Sequence, residues 1–539
     1  MRKKGIIMLS ITIVVVISAL IVTLILLAPK IVERSINKAL TKLLGNEYVL
    51  QYKKFELKLI PLNLRMEGIT IAKTQKSTIT DTIHLIASCK LIEAKGIHLF
   101  TFLLKKEIHI TDFQIQKPQA DIPFSIAQLI EKTKERQVTS HKQAKTIYIN
   151  SLIIEDGAVS FCDSSTHTLQ FDLREININA GELQLTTSKK DKHKQQFSSK
   201  VFEINAKQLT WLNSRATDKL LIDNLHLSIA DSSIVCDTLK FVPQFSMYEY
   251  AKQVGRQVAR IQLEIPKITI KSIDFDALFT KKTLLAREII LEKPELATFK
   301  DKRIPLENDK NYDLLPRSLL LNLREFIYVT IPDIYVKNAN LVSILQIQDA
   351  ILPAKFFMTE INLHIQNLTN DSLQILENPI MRANLTAQIL NKGKANIQIN
   401  IDLASETDNH QISGEMGEID VSEFNPFLEN SLFMRAEKGK IQKLVFDISV
   451  NENRGTGELR LYYDDLKIKL LRQKADWFEW RGMASIFANS FIVKSSNPQQ
   501  GKPLRIAQIN KEHNTEKRFI NFWIECIGEG IKETIAPAL

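Results

Sequence analysis

The sequence predicts a mainly β protein: an N-terminal transmembrane helix, then a very long, repetitive antiparallel sheet with a few short helices, ending in an amphipathic C-terminal helix. Three observations carry this. Residues 5–28 are 24 positions without a charge, directly behind Met1-Arg2-Lys3-Lys4. Apolar and polar residues then alternate with period two in run after run, the mark of strands with one apolar and one solvated face. The last 24 residues close on an apolar stripe at helical spacing.

The uncharged stretch makes about 36 Å of helix at ~1.5 Å per residue, enough to cross a ~30 Å hydrocarbon core with some tilt. Ile6, Val15, Leu20 and Leu27 mark its apolar length. It is longer than the core of a cleaved signal peptide, and no small-x-small cleavage site follows Leu26-Leu27-Ala28-Pro29. Residues 1–30 therefore read as a cytoplasmic tip and an uncleaved anchor. The basic N-terminus favours an exported body, although Lys30, Arg34, Lys38 and Lys42 behind the anchor reduce the asymmetry. Residues 35–44 continue the anchor as a short helix ending at Gly45.

Residues 31–515 form the body. Ile265, Ile268, Ile270, Ile273 and Phe275 mark one extended run through Pro266. Ile397, Ile399, Ile401 and Leu403 alternate with Gln398, Asn400 and Asp402. Leu444, Phe446, Ile448 and Val450 alternate with Val445, Asp447 and Ser449. Similar runs occupy 147–154, 176–185, 221–229 and 361–365. Short helices are expected at 124–132 and 244–260. Only 17 glycines and 16 prolines occur in 539 residues, so no flexible linker divides the body.

Residues 516–539 carry the terminal helix. Phe519, Phe522, Trp523, Ile527 and Ile531 define its apolar face, and Glu525, Glu529 and Glu533 offset Lys517, Arg518 and Lys532. That mixed polar face suits a helix that closes the end of the sheet better than one lying on anionic lipid.

The chain also echoes itself. Residues 108–118 read I-H-I-T-D-F-Q-I-Q-K-P and residues 286–294 read A-R-E-I-I-L-E-K-P, each a strand ending in Lys-Pro. Upstream of each we expect a strand ending near a phenylalanine, at 92–100 and 268–279. Residues 147–161 (I-Y-I-N-S-L-I-I-E-D-G-A-V-S-F) are echoed at 334–342 (I-Y-V-K-N-A-N-L-V). Two such units in one context indicate duplicated β units.

Several function classes find no support. A net charge of +10 comes from scattered lysines, with no dense basic stripe for nucleic acid; Lys189-Lys190-Asp191-Lys192-His193-Lys194 reads as a solvated loop. No P-loop, H-E-x-x-H, G-x-S-x-G or dinucleotide fingerprint occurs, so we expect no enzyme, no catalytic or metal site and no cofactor. His98, His109, His226 and His364 fall in strand patterns as polar-face residues. Tyr463-Asp464-Asp465 reads as a turn or strand end. The four cysteines stand far apart without C-x-x-C, so buried, inert thiols are the default and an isolated bridge the alternative.

The order of these elements resembles the AsmA-like family of bacterial envelope proteins, in a branch common in Bacteroidota. The resemblance rests on the anchor, Gly45-Asn46-Glu47 leading into residues 52–72 (Y-K-K-F-E-L-K-L-I-P-L-N-L-R-M-E-G-I-T-I-A) and the strand-Lys-Pro units. The Asp-Gly-Ala unit at 154–161, residues 457–470 (G-E-L-R-L-Y-Y-D-D-L-K-I-K-L), Phe487-Ala488-Asn489 and the Phe-x-x-Phe-Trp helix extend it over nearly the whole chain. It implies a single-pass inner-membrane protein with a periplasmic body. The sheet would curve into a groove, as in bridge-like lipid-transfer proteins, for phospholipid binding or transport in support of outer-membrane homeostasis. The expected partners are membrane, lipid and envelope proteins, and not nucleic acid. The lining expected on that basis is Ile268, Ile270, Ile273, Phe275, Ile397, Ile399, Ile401, Leu444, Phe446 and Ile448. An envelope scaffold or assembly factor, its apolar face packed on protein, is the alternative.

Overall fold

The computed structural model describes residues 34, 48–74, 83–98, 101, 104–105, 107–123, 145–162, 169–187, 195–213, 215–305, 316–471, 493–514 and 519–536. The anchor lies outside them, and so do the helices expected at 35–44 and 124–132. Among the described residues no helix is long and apolar enough to cross a membrane. The chain packs as two compact units, the first running to Ser214 with Ile222–Ala230, the second comprising Arg215–Leu221 and the chain from Asp231 onward.

The first unit holds β1 (Tyr48–Gln51), β2 (Lys54–Leu59), β3 (Leu62–Thr74), β4 (Ile83–Lys95), β5 (Ile108–Gln116), β6 (Gln119–Pro123), β7 (Lys145–Cys162), β8 (Leu169–Thr187), β9 (Gln195–Ser198) and β10 (Val201–Leu212). Strand β3 pairs with β1 and β2 on one side and β4 on the other. Strand β4 pairs with β5 and β6, which both run parallel to β7; β8 then pairs with β7, β9 and β10. Strand β11 (Asp218–Ser228) contributes residues to both units.

The second unit begins with β12 (Ser233–Pro243), helix α1 (Met247–Val254), β13 (Ala259–Ile265), β14 (Lys267–Lys271), α2 (Phe275–Lys281), β15 (Thr283–Leu285), β16 (Glu288–Glu292) and β17 (Glu295–Asp301). After α3 (Pro316–Asn322) come β18 (Tyr328–Gln346), β19 (Ala354–Thr369), α4 (Ser372–Glu377), β20 (Ile380–Ile389), β21 (Gly393–Asp402), β22 (His410–Met416) and β23 (Ile419–Asp420). It ends with α5 (Asn425–Ser431), β24 (Met434–Val450), β25 (Arg454–Leu470), β26 (Ile506–Glu512) and α6 (Phe519–Ile535). Strands β15, β16 and β17 lie parallel to β18, and antiparallel pairing continues through β19, β20, β21, β22, β24, β25 and β26.

The sheet is therefore mixed, not purely antiparallel. The duplicated units are the cause. After each Lys-Pro strand pair the chain must return to the same end of the sheet, and a crossover of a dozen or more residues precedes β7 and β18. At each site the lysine takes a left-handed backbone, φ 50° at Lys117 and 49° at Lys293. Proline lacks an N–H for the ladder, so the strand breaks there and resumes. The neighbouring long strand breaks in step: Lys117 N–H donates to the Glu155 carbonyl and Lys293 N–H to the Lys337 carbonyl, each 2.8 Å. The next residues, Asp156 and Asn338, also have positive φ, and an asparagine on the following strand accepts from each N–H (Asn177, 3.1 Å; Asn362, 3.0 Å). Such bulges bend a strand and strengthen its twist. The echoed sequences thus form the same crease twice.

Other expectations change locally. Helix α1 stops at Gly255, which caps it at φ 81°, and Arg260 already belongs to β13. Phe275 is not a strand residue: Asp274 accepts from the Ala277 N–H and starts α2 there, so the strand expected at 268–279 ends at Lys271. His98 lies beyond the end of β4. Asp464 and Asp465 sit within β25 at a bulge, not at a turn, with Asp465 paired to Lys438.

Candidate functional site

Cross-strand partners in a sheet share a face, so register alone determines which side chains line up. In the second unit two unbroken transverse rows emerge. Cys236, Ile268, Leu291, Val336, Leu363, Leu385, Ile397, Gly414, Phe446, Leu459 and Ala507 are successive partners from β12 to β26. Two residues along, Ile234, Ile270, Ile289, Ile334, Ile365, Ala383, Ile399, Ile412, Ile448, Gly457 and Ile509 form the second. Eleven strands at ~4.8 Å give each row a length of roughly 48 Å. The row between them points to the opposite face and is largely polar, including Thr269, Tyr335, His364, Asn384, Gln398, Ser413, Asp447 and Glu458.

The first unit repeats the arrangement. Phe55, Met66, Ile92, Ile115, Ile154, Ile178 and Ile204 are one chain of partners, and Leu57, Leu64, Ala94, Phe113, Leu152, Ala180 and Phe202 the next. Most of these side chains are half-buried, although Met66, Ala94 and Ala180 are buried.

Three separated sequence runs therefore meet on one face: Ile268, Ile397 and Phe446 in one row, Ile270, Ile399 and Ile448 in the other. Their surroundings differ. From β12 to β18 the row members Ile234, Ile268, Ile270, Ile289, Leu291, Ile334 and Val336 are half-buried. Among the described residues α1 packs against β13 and β17, α2 against β15, α3 against β21, α5 against β18, β19 and β24, and α6 against β25 and β26, so no helix makes more than slight contact with β12, β14 or β16. Ile401 is buried with Leu320 of α3, and Ile399 packs against the same cluster. Leu444, Phe446 and Ile448 are buried in a core shared with Phe522 and Cys526 of α6. These residues, expected to line an open groove, are core, with α5 packed against β24 and α6 against β25 and β26. Ile273 and Phe275 are buried too, off the strand, with Phe275 stacked on Phe279 at 5.9 Å.

The covering helix is fitted closely. Phe522, Cys526, Gly530 and Thr534 form its buried stripe, while Phe519, Trp523, Ile527 and Ile531 are half-buried beside it. A Cβ on Gly530 would stand 2.7 Å from the Leu459 Cβ, and one on Gly455 2.6 Å from the Cys526 Sγ, so both glycines are needed for the approach. Burial pushes the Cys526 thiol up to about 12, with Glu525 adding to the shift. Helix α6 thus covers a face of the sheet; the expectation had placed it at an edge.

His410, which sequence reasoning passed over, belongs to this seat. It is buried, its Nδ1–H donates to the Asp408 carbonyl at 2.8 Å, and its Nε2 accepts from Trp523 Nε1 at 2.9 Å. Burial lowers its pKa from the ordinary 6.5 against the opposing effect of Asp408. No local motif links positions 113 residues apart. The histidines singled out earlier make polar contacts on their strands: His364 with Asp333 at 2.7 Å and His226 with Asn205 at 2.7 Å. Among the described residues no cluster of histidine, cysteine and carboxylates could hold a metal ion. A depression beside β24 is lined mostly by polar residues, among them Gln411, Asp447, Ser449, Thr456, Glu458 and Arg460, with Val445 and Phe446. No family model matches the chain, and no curated protein matches it in sequence.

Proposed function

We propose that this chain is a membrane-anchored envelope protein that shelters lipid acyl chains on the uncovered apolar rows of its sheet, with headgroups left in water. The observation that carries this reading is the half-buried double row from β12 to β18, backed on the other side by polar residues. A single acyl chain, half of a ~30 Å hydrocarbon core, spans about 15 Å, or about three strand spacings of ~4.8 Å. Both units offer rows of at least that width. The AsmA-like resemblance supports the same reading and adds its setting, the bacterial inner membrane with the body in the periplasm and phospholipid as the cargo. Binding and transfer of this kind need shape and apolar surface rather than a reacting group.

The test is native mass spectrometry with lipid extraction on the chain from Lys30 onward, prepared without detergent. Phospholipid that co-purifies with the folded protein is the expected result. A folded body that is reproducibly lipid-free would favour the scaffold reading, in which another protein covers the rows.

A further inference from the structure

Helix α6 covers the part of the rows carried by β25 and β26 and reaches β22 through Trp523, and two histidines stand beside it in the same arrangement. His410 at the start of β22 donates from Nδ1 to the Asp408 carbonyl and turns Nε2 to Trp523. His513, just after β26, donates from Nδ1 to the Glu452 carbonyl at 2.9 Å, and its ring lies 4.5 Å from that of Phe522. Among the described residues its Nε2 is buried without a hydrogen-bond partner. In both rings Nδ1 carries the proton and Nε2 is a bare acceptor under an aromatic residue of α6. A second proton on His410 would set its Nε2–H against the Trp523 N–H.

We propose that α6 is a removable cover over the far end of the apolar rows, seated while His410 is neutral and accepts from Trp523, and released when it takes up a proton. Release would expose Ile448 and Leu459 in line with the rows already open, lengthening the lipid-binding face. What release achieves rests on the lipid reading; the release itself does not.

The surroundings offer the added protons little compensation. Asp408 and His513 are the titratable groups that act on His410. The Asp408 carboxylate already accepts from the N–H groups of Arg317 and Ser318 and from the Ser318 hydroxyl. The register neighbours of His410 on β21 and β24 are Ile401 and Val450. Beside His513, Lys511 and Glu512 end β26, and Glu512 pairs with Arg454 of β25. The sign follows from the lowered folded pKa of His410. Its contribution to seating the helix is complete above 6.5 and is lost as the pH falls through the folded value.

Cys526 reports the helix directly, since its side chain is fully buried against Gly455. The full chain is treated with a pyridyl disulfide between about pH 7.5 and pH 5, the histidine range, and labelled peptides are resolved by mass spectrometry. Thiols lose reactivity as the pH falls, so a rise at Cys526 is diagnostic. We expect its labelling, divided by that of the denatured chain at the same pH, to climb by up to about ten-fold per pH unit once His410 titrates, while buried Cys236 of β12 stays silent. His410→Gln should lose the response; if it does not fold, Trp523→Phe, which removes the indole N–H that the second proton would oppose, should show a shallower one. Cys526 protected at pH 5, Cys526 and Cys236 exposed together, or an unchanged response in the folded variant would each overturn the proposal. Lipid loading at pH 7.5 is measured on the same samples, so a failed cover and a failed lipid reading are told apart.

Discussion

Replacing Phe522 by alanine is expected to destabilise the closed end of the second unit by about 3–5 kcal/mol, the range for truncating a buried aromatic side chain. Phe522 is 1% exposed and packs in one core with Leu459, Ile448 and Cys526, residues from two strands and the helix itself. Removing its ring leaves a cavity that α6 cannot collapse to fill, because Gly530 already brings the helix close to Leu459 and Ile509. Denaturant unfolding should show the loss as a lower midpoint, with Cys526 becoming reactive at neutral pH. Ile520→Ala, on the exposed side of the same helix, should change neither by more than about 0.5 kcal/mol.

The second large effect concerns lipid. Ile270 and Ile289 are register partners at the centre of the open rows, both half-buried. The double change Ile270→Asp and Ile289→Asp puts two carboxylates where acyl chains would lie, and at neutral pH each would have to lose water to admit lipid. Lipid loading should fall by at least about ten-fold, equivalent to ~1.4 kcal/mol. The fold should persist, because both positions retain water access in the lipid-free protein. Thr269→Asp, on the same strand but the opposite face, should leave loading unchanged. Equal loss from both would show that damage to β14, not to the apolar face, removed the lipid.

Much of this face could be read in the sequence, because period-two alternation is a local property. The runs around Ile268, Ile397 and Leu444 were legible as one-sided strands, and the Lys-Pro echoes as duplicated units. Register was not, and register is what brings Ile270, Ile399 and Ile448 into one row. Coverage was not legible either: Ile270 and Ile448 have the same pattern, yet one is half-buried and the other lies beneath α6. The creases were hidden because lysine, aspartate and asparagine occupy the left-handed positions, where glycine would have been the expected signal. Asp274 is an ordinary helix start, but within an alternating run it was outweighed by Ile273 and Phe275. The His410–Trp523 bond joins positions 113 residues apart and left no trace in either neighbourhood.

The most direct test of the central claim is site-specific photocrosslinking in living bacteria fed labelled phosphate. A photoreactive amino acid is placed at Ile270 in one strain and at the adjacent Thr269 in another, so that the two probes share a strand and differ only in face. Labelled phospholipid attached at position 270 and absent at 269 is the predicted result. No adduct at 270, an equal adduct at both, or a protein adduct at 270 in place of lipid would contradict a lipid-sheltering face.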